Sequence, residues 1–140
     1  VTDPVHNKLG WMLDDVMKMP ETLYAILLSA DGLLMAHSQR ISRADADRNA
    51  AAMSGLQALA RSAAEFCGET PDGWRQTVNE FSGGFVFLVA AGPGAYLAVS
   101  ATDKVDMEGV SSRLHELVQR LGQELTSPPR YTRQDLGSRA

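Results

Sequence analysis

Cysteine occurs once in the 140 residues, at Cys67. One thiol excludes an intrachain disulfide and any metal cluster built on cysteine. Basic residues are also scarce, 13 against 17 acidic ones, for a net charge of −4. A nucleic-acid binder usually shows a concentrated basic surface, so that class of partner is excluded. No apolar run approaches the ~18 residues of a membrane span. The opening Val-Thr-Asp-Pro is no secretory signal, so the expected location is cytoplasmic. There is no Gly-Lys pair, and hence no phosphate-cradling loop of the Gly-x4-Gly-Lys-Ser/Thr kind. Gly92-Pro93-Gly94 lacks the third glycine of a dinucleotide fingerprint and precedes a strand, so it reads as hairpin geometry.

What is present describes one folded domain. Hydrophobic residues make up 44% and charged residues 21%, and a chain of this length buries roughly 68% of its extended surface. Asp3-Pro4 suits a helix start. Leu9, Met12, Leu13 and Val16 follow at helical spacing, and Pro20 ends the segment. Trp11 lies beside that stripe, where it either widens the core contact or presents an exposed aromatic anchor. The average burial of Trp favours the core. Two apolar runs, 23–28 and 33–36, flank Ser29-Ala30-Asp31-Gly32, a strong hairpin signal.

The segment 42–67 has helix-favouring composition and Ser42 to cap it. At 100° per residue, Met53, Leu56, Leu59, Ala60, Ala63, Phe66 and Cys67 gather as a core stripe. Asp47, Ser54, Arg61 and Glu65 make a solvated side. A third strip, Ala51, Gly55, Ala58 and Ser62, is small rather than polar. It is either a cheap helix surface or a place where another backbone approaches closely.

Three strands then follow in meander spacing. The first, 74–81, is polar and must be a sheet edge, a pairing hazard unless something such as a twin subunit covers it. The run 85–89 is apolar on both faces, which suits a central strand. Residues 96–99 form the last strand. Thr102-Asp103 opens a final helix carrying Val110, Leu114, Leu117, Val118, Leu121 and Leu125, stopped by Pro128-Pro129. The fold class is therefore α+β, with the order α-β-β-α-β-β-β-α and a five-stranded antiparallel sheet. The domain is expected over 1–125, and 126–140 is expected to be a disordered tail. That tail holds three Arg and one Asp, so the −4 of the whole chain divides into −6 for the domain and +2 for the tail.

Catalytic groups are hard to nominate. His6, His37 and His115 do not pair with one another or with Cys67 at ligand spacing, so no metal or cofactor is expected. Cys67 reads as a small buried hydrophobe. Asp14 and Asp15, as helix neighbours, point about 100° apart and cannot share a substrate. Arg40, Arg43, Arg48 and Arg61 cluster around the middle helix, where they either meet an acidic partner, supply an arginine finger or, the favoured reading, are charges that keep the helix soluble. Function is expected to lie in surfaces.

Several strings resemble one family. They are Ala25-Ile26-Leu27-Leu28-Ser29-Ala30-Asp31-Gly32-Leu33-Leu34, Ala51-Ala52-Met53-Ser54-Gly55-Leu56 with Leu59-Ala60, Gln76-Thr77-Val78, Gly84-Phe85-Val86-Phe87-Leu88-Val89, and Ala95-Tyr96-Leu97-Ala98-Val99. Together, over Leu9 to Leu125, they resemble the roadblock (dynein-light-chain-type) family, and most of all its bacterial branch associated with small Ras-like GTPases. The resemblance implies a roadblock/profilin-like sheet with the middle helix on one face and the terminal helices on the other. It implies a homodimer through the polar third strand, at Gln76, Thr77, Val78 and Asn79, and through the middle helix at Ala51, Gly55, Ala58 and Ser62. It further implies a non-catalytic protein that binds and regulates a small Ras-like GTPase, as scaffold or as activator of its hydrolysis, often alongside a sensor-kinase-like protein. It assigns no arginine a finger role and no residue to the GTPase interface. A rival from another class is a small-molecule sensory domain on the same kind of sheet. That reading needs a cavity with convergent polar groups, and no polar cluster stands out in the sequence.

Overall fold

The computed structural model describes residues 4–126, with side chains from Lys8 to Leu125. The Asp3 cap, the His6 side chain and the tail beyond Thr126 lie outside the described residues. The elements are α1 (Pro4–Val16), β1 (Thr22–Ser29), β2 (Leu34–His37), α2 (Arg43–Ser62), β3 (Gln76–Phe81), β4 (Gly84–Ala90), β5 (Ala95–Thr102) and α3 (Met107–Thr126). Two 3-10 turns, Ala63–Cys67 and Pro71–Gly73, connect α2 to β3.

The β1–β2 turn follows from its residues. Gly32 takes φ +87, a left-handed conformation open to glycine at little cost. Its amide donates to the Ser29 carbonyl at 3.0 Å, and Ser29 bonds Asp31 through its hydroxyl. All strands are antiparallel, in the order β2-β1-β5-β4-β3. The polar β3 is an edge, as its composition requires. β4 is an interior strand between β5 and β3, as its two apolar faces suggest, and β5 takes the middle place. Tyr96, Leu97, Ala98 and Val99 are all buried there, between β1 and β4.

Strand alternation divides the sheet into two faces. Ala25, Leu27, Phe87, Leu97 and Val99 meet α1 through Leu9, Leu13 and Val16, and α3 through Val110, Leu114, Leu117 and Leu121. Ile26, Leu28, Leu88, Tyr96 and Ala98 meet α2 on the opposite face. The α+β arrangement read from the sequence is therefore the observed one.

Four expectations fail in detail. The core side of α2 is Ala46, Ala50 and Gln57, with Met53 and Leu56 half-buried beside them. Leu59 is 71% exposed and Phe66 98% exposed, and Cys67 is exposed as well. Ala46, Ala50 and Gln57 fall on one line of the helix at 100° per residue, and Leu59 lies on the side turned away from it. Beyond Ser62 the tighter 3-10 geometry ends the 100° arithmetic altogether. Arg61, expected in solvent, is half-buried. Trp11 points away from the core and is 81% exposed. Finally, α3 begins at Met107, after β5 has run on to Thr102, whose amide donates to the Glu21 carbonyl at 2.9 Å. The Ser42 cap holds, with its hydroxyl accepting from the Asp45 amide at 3.1 Å.

One fully buried hydroxyl closes the β2 end of the sheet. The Ala25 amide donates to Ser38 Oγ at 3.0 Å, and the Ser38 amide donates back to the Ala25 carbonyl at 2.9 Å. Ser38→Ala leaves a buried amide without its partner, and should cost about 1–3 kcal/mol in urea denaturation.

Candidate functional site

The two surfaces flagged by the sequence both lie on the outside of the chain. The first is the free edge of β3. This strand pairs with β4 from Gln76↔Val89 to Phe81↔Gly84, and its other edge meets no strand among the described residues. Thr77, Asn79 and Phe81 stand on the α2 face of the sheet and Gln76, Val78 and Glu80 on the other, by alternation. Val78 and Phe81 are exposed apolar side chains on this edge.

The entry to β3 is held by a polar chain of contacts. Trp74 Nε1 donates to Thr77 Oγ1 at 2.9 Å, and the Trp74 ring lies 5.8 Å from that of Tyr96. Arg61 donates to the Tyr96 hydroxyl at 3.2 Å and to the Pro71 carbonyl at 3.3 Å, and it pairs with Asp72 at 3.4 Å. Arg61 thus ties the end of α2 to β5 and to the turn before β3.

The second surface is the outer face of α2. Ala51, Gly55, Ala58 and Ser62 are all exposed, and a Cβ on Gly55 would meet nothing within 4 Å. Leu59, four residues after Gly55, joins them, and Phe66 continues the patch beyond the helix end. The sequence reading missed these two, because it took them for core. The signal that could have found them is the pair Ala46 and Ala50, which can seat a helix close to a sheet.

The four arginines do not act as a cluster. Arg43 pairs with Asp47 at 3.8 Å and Arg48 with Asp45, while Arg61 is engaged as described. Arg40 has no ion pair among the described residues. It lines a groove of about 460 Å³ under the first half of α2, floored by Ile26, Val86 and Ala98.

The remaining candidates are separate. Asp14 Oδ1 accepts from the Gln39 amide at 2.9 Å, while Asp15 pairs with Lys18 and Arg120. His37 Nδ1 lies 2.7 Å from the Ser38 carbonyl, and His115 is exposed on α3. Among the described residues, no group of three His, Cys, Asp or Glu side chains could hold a metal ion, and no helix is long and apolar enough to cross a membrane.

An antiparallel sheet with one helix on one face, two on the other, and an open edge strand beside an exposed small-residue helix defines a small α+β domain of roadblock/profilin-like architecture. The chain belongs to the Roadblock/LC7 domain family, whose profile matches residues 9–101. A Roadblock/LC7 domain from Streptomyces avermitilis is 33% identical, with 84% of this chain and 98% of that one covered, at a TM-score of 0.77. MglB from Myxococcus xanthus shares the fold at 17% identity, covering 94% and 98%, with a TM-score of 0.80. Acanthamoeba castellanii profilin IB shares it more distantly, at 17% identity, 72% and 85% coverage, and a TM-score of 0.51. No curated protein sequence matches the chain significantly.

The arginines make a direct comparison possible. Arg61→Ala should destabilise the fold by about 1–2 kcal/mol, because it releases three partners together. Arg43→Ala, which loses only a surface pair, should change stability by less than about 0.5 kcal/mol. Urea denaturation of the two variants side by side checks this.

Proposed function

We infer that this Roadblock/LC7 domain works as a homodimeric regulator or scaffold of a small Ras-like GTPase in a bacterial signalling complex. The observation that carries the reading is the open β3 edge together with the bare apolar face of α2. An unpaired strand edge invites another strand, and a helix face of Ala, Gly and Ser lets a second backbone come close. The proposed self-contact uses Gln76, Thr77, Val78 and Asn79 of β3 with Ala51, Gly55, Ala58 and Ser62 of α2. Leu59 and Phe66 add the larger apolar area at its margin.

The partner reading rests on family membership and on the bacterial members the sequence resembles, which accompany a small GTPase. The protein contributes contact surface in this reading, and the hydrolytic chemistry belongs to the GTPase. A sensor-kinase-like protein is a further member of the proposed complex, and the cytoplasm is its proposed location. The tail, residues 126–140, adds a small basic segment to an acidic domain, and its role is outside this proposal. One observation favours the rival reading of a small-molecule sensor, namely the groove under α2.

Light scattering at micromolar concentration should give the mass of a dimer. Gly55→Leu has room in the single chain, so it should leave the fold intact while splitting or distorting the dimer. An unchanged mass and thermal stability in that variant would remove α2 from the interface. Co-purification with a small GTPase encoded beside this chain, followed by its hydrolysis rate with and without the protein, tests the regulatory part. No association and no change in rate would refute it.

A further inference from the structure

We propose that the groove beneath the first half of α2 binds a small amphipathic carboxylic acid. The inference does not depend on the GTPase reading. The groove is built by a specific irregularity in β1. Thr22 pairs with Ala101 and Tyr24 with Ser100, so Leu23 is an extra residue in the ladder. Such a bulge re-aims side chains, and here Leu23 and Tyr24 both line the groove although they are neighbours on a strand. The Tyr24 amide donates to Ser100 Oγ at 3.2 Å, which supplies the bulge with a hydrogen-bond partner.

The chemistry of the lining is divided. Ile26, Val86 and Ala98 give an apolar floor, and Met53 and Ile41 extend it up the helix side. The polar groups sit above. Arg48 is neutralised by Asp45, its ion-pair partner. The Arg40 guanidinium has no partner among the described residues, nor has the exposed Tyr24 hydroxyl. One unpaired cation and one hydroxyl over an apolar floor suit a single carboxylate with a hydrocarbon body. A dianion such as a phosphate monoester would bring a second charge that Arg40 alone does not match, since Arg48 and Asp45 neutralise each other.

Size and position agree with this occupant. At about 460 Å³ the space is that of one small molecule. Of the helix residues it uses, Asp45, Asn49 and Met53 lie roughly 150° round α2 from the row of Ala51, Gly55, Ala58 and Ser62, while Arg48, three residues before Ala51, stands on the side of that row. A ligand over the sheet floor and a second copy on the small-residue row would therefore adjoin at Arg48.

Octanoate and 1-octanol separate the two parts of the proposal. Octanoate should bind the full chain saturably, with amide shift changes at Tyr24, Ala98 and Ser100 in NMR spectra. Octanol should bind about tenfold more weakly, since it lacks the charge-assisted hydrogen bond. Arg40→Gln should weaken octanoate about tenfold and leave octanol unchanged, which removes the difference between the two. Arg40 is exposed and makes no hydrogen bond or ion pair among the described residues, so the variant should fold normally. No saturable response to octanoate, equal affinity for octanol, or unaltered octanoate binding in Arg40→Gln would each overturn the proposal, in favour of a seat for an apolar side chain of a second copy.

Discussion

The close seat of α2 on the sheet governs what the protein can present. Ala46 and Ala50 are fully buried against the face of Ile26 and Leu28, and neither carries an atom beyond Cβ. A helix resting on two alanines lies low, with Gln57 on the same line and Met53 and Leu56 half-buried beside it. Leu59, on the far side of the helix, and Phe66, in the 3-10 turn beyond it, are outside, next to the small row that includes Gly55. The same seat leaves the lower part of the sheet face uncovered, where Tyr24, Val86 and Ser100 line the groove. A bulkier pair in place of the alanines would lift the helix and alter both surfaces at once.

The other face is built on the opposite strategy. Four leucine and valine positions of α3 and four apolar positions of α1 insert into one continuous core with Leu27, Phe87, Leu97 and Val99. That face carries most of the buried apolar area, and so supplies most of the hydrophobic stabilisation. With stability secured there, the α2 side is free to expose apolar surface. An unpaired edge strand and a bare helix face on one small domain are costly to leave in water, which is the physical basis for reading them as surfaces meant for partners.

Some of this was legible in the residues. Ala30-Asp31-Gly32 between two apolar runs led directly to the first hairpin. The polar alternation of Gln76 to Glu80 placed β3 at an edge, and the spacing of Val110, Leu114, Leu117 and Leu121 matched the buried side of α3. Each of these signals is local, and each has one dominant period. The middle helix has no such signal. Apolar residues occupy well over half of its circumference, so periodicity alone allowed a stripe through Leu59 and Phe66 that the fold does not bury. Trp11 was misplaced for a related reason. The average burial of a residue type says nothing about which side of a particular helix meets the sheet.

The sequence by itself determined the element order, the α+β class, the polar edge and the identity of the small-residue row, because turn residues and repeating patterns act over a few positions. Only the tertiary structure decided which side of α2 faces the sheet. It also decided which strand takes the centre, and that Arg61 is a tie between elements while Arg40 is left unpaired among the described residues. Those outcomes depend on contacts between residues far apart in the chain, where Ala46, Ala50, Tyr96 and the Leu23 bulge compete for space. No local pattern encodes that competition.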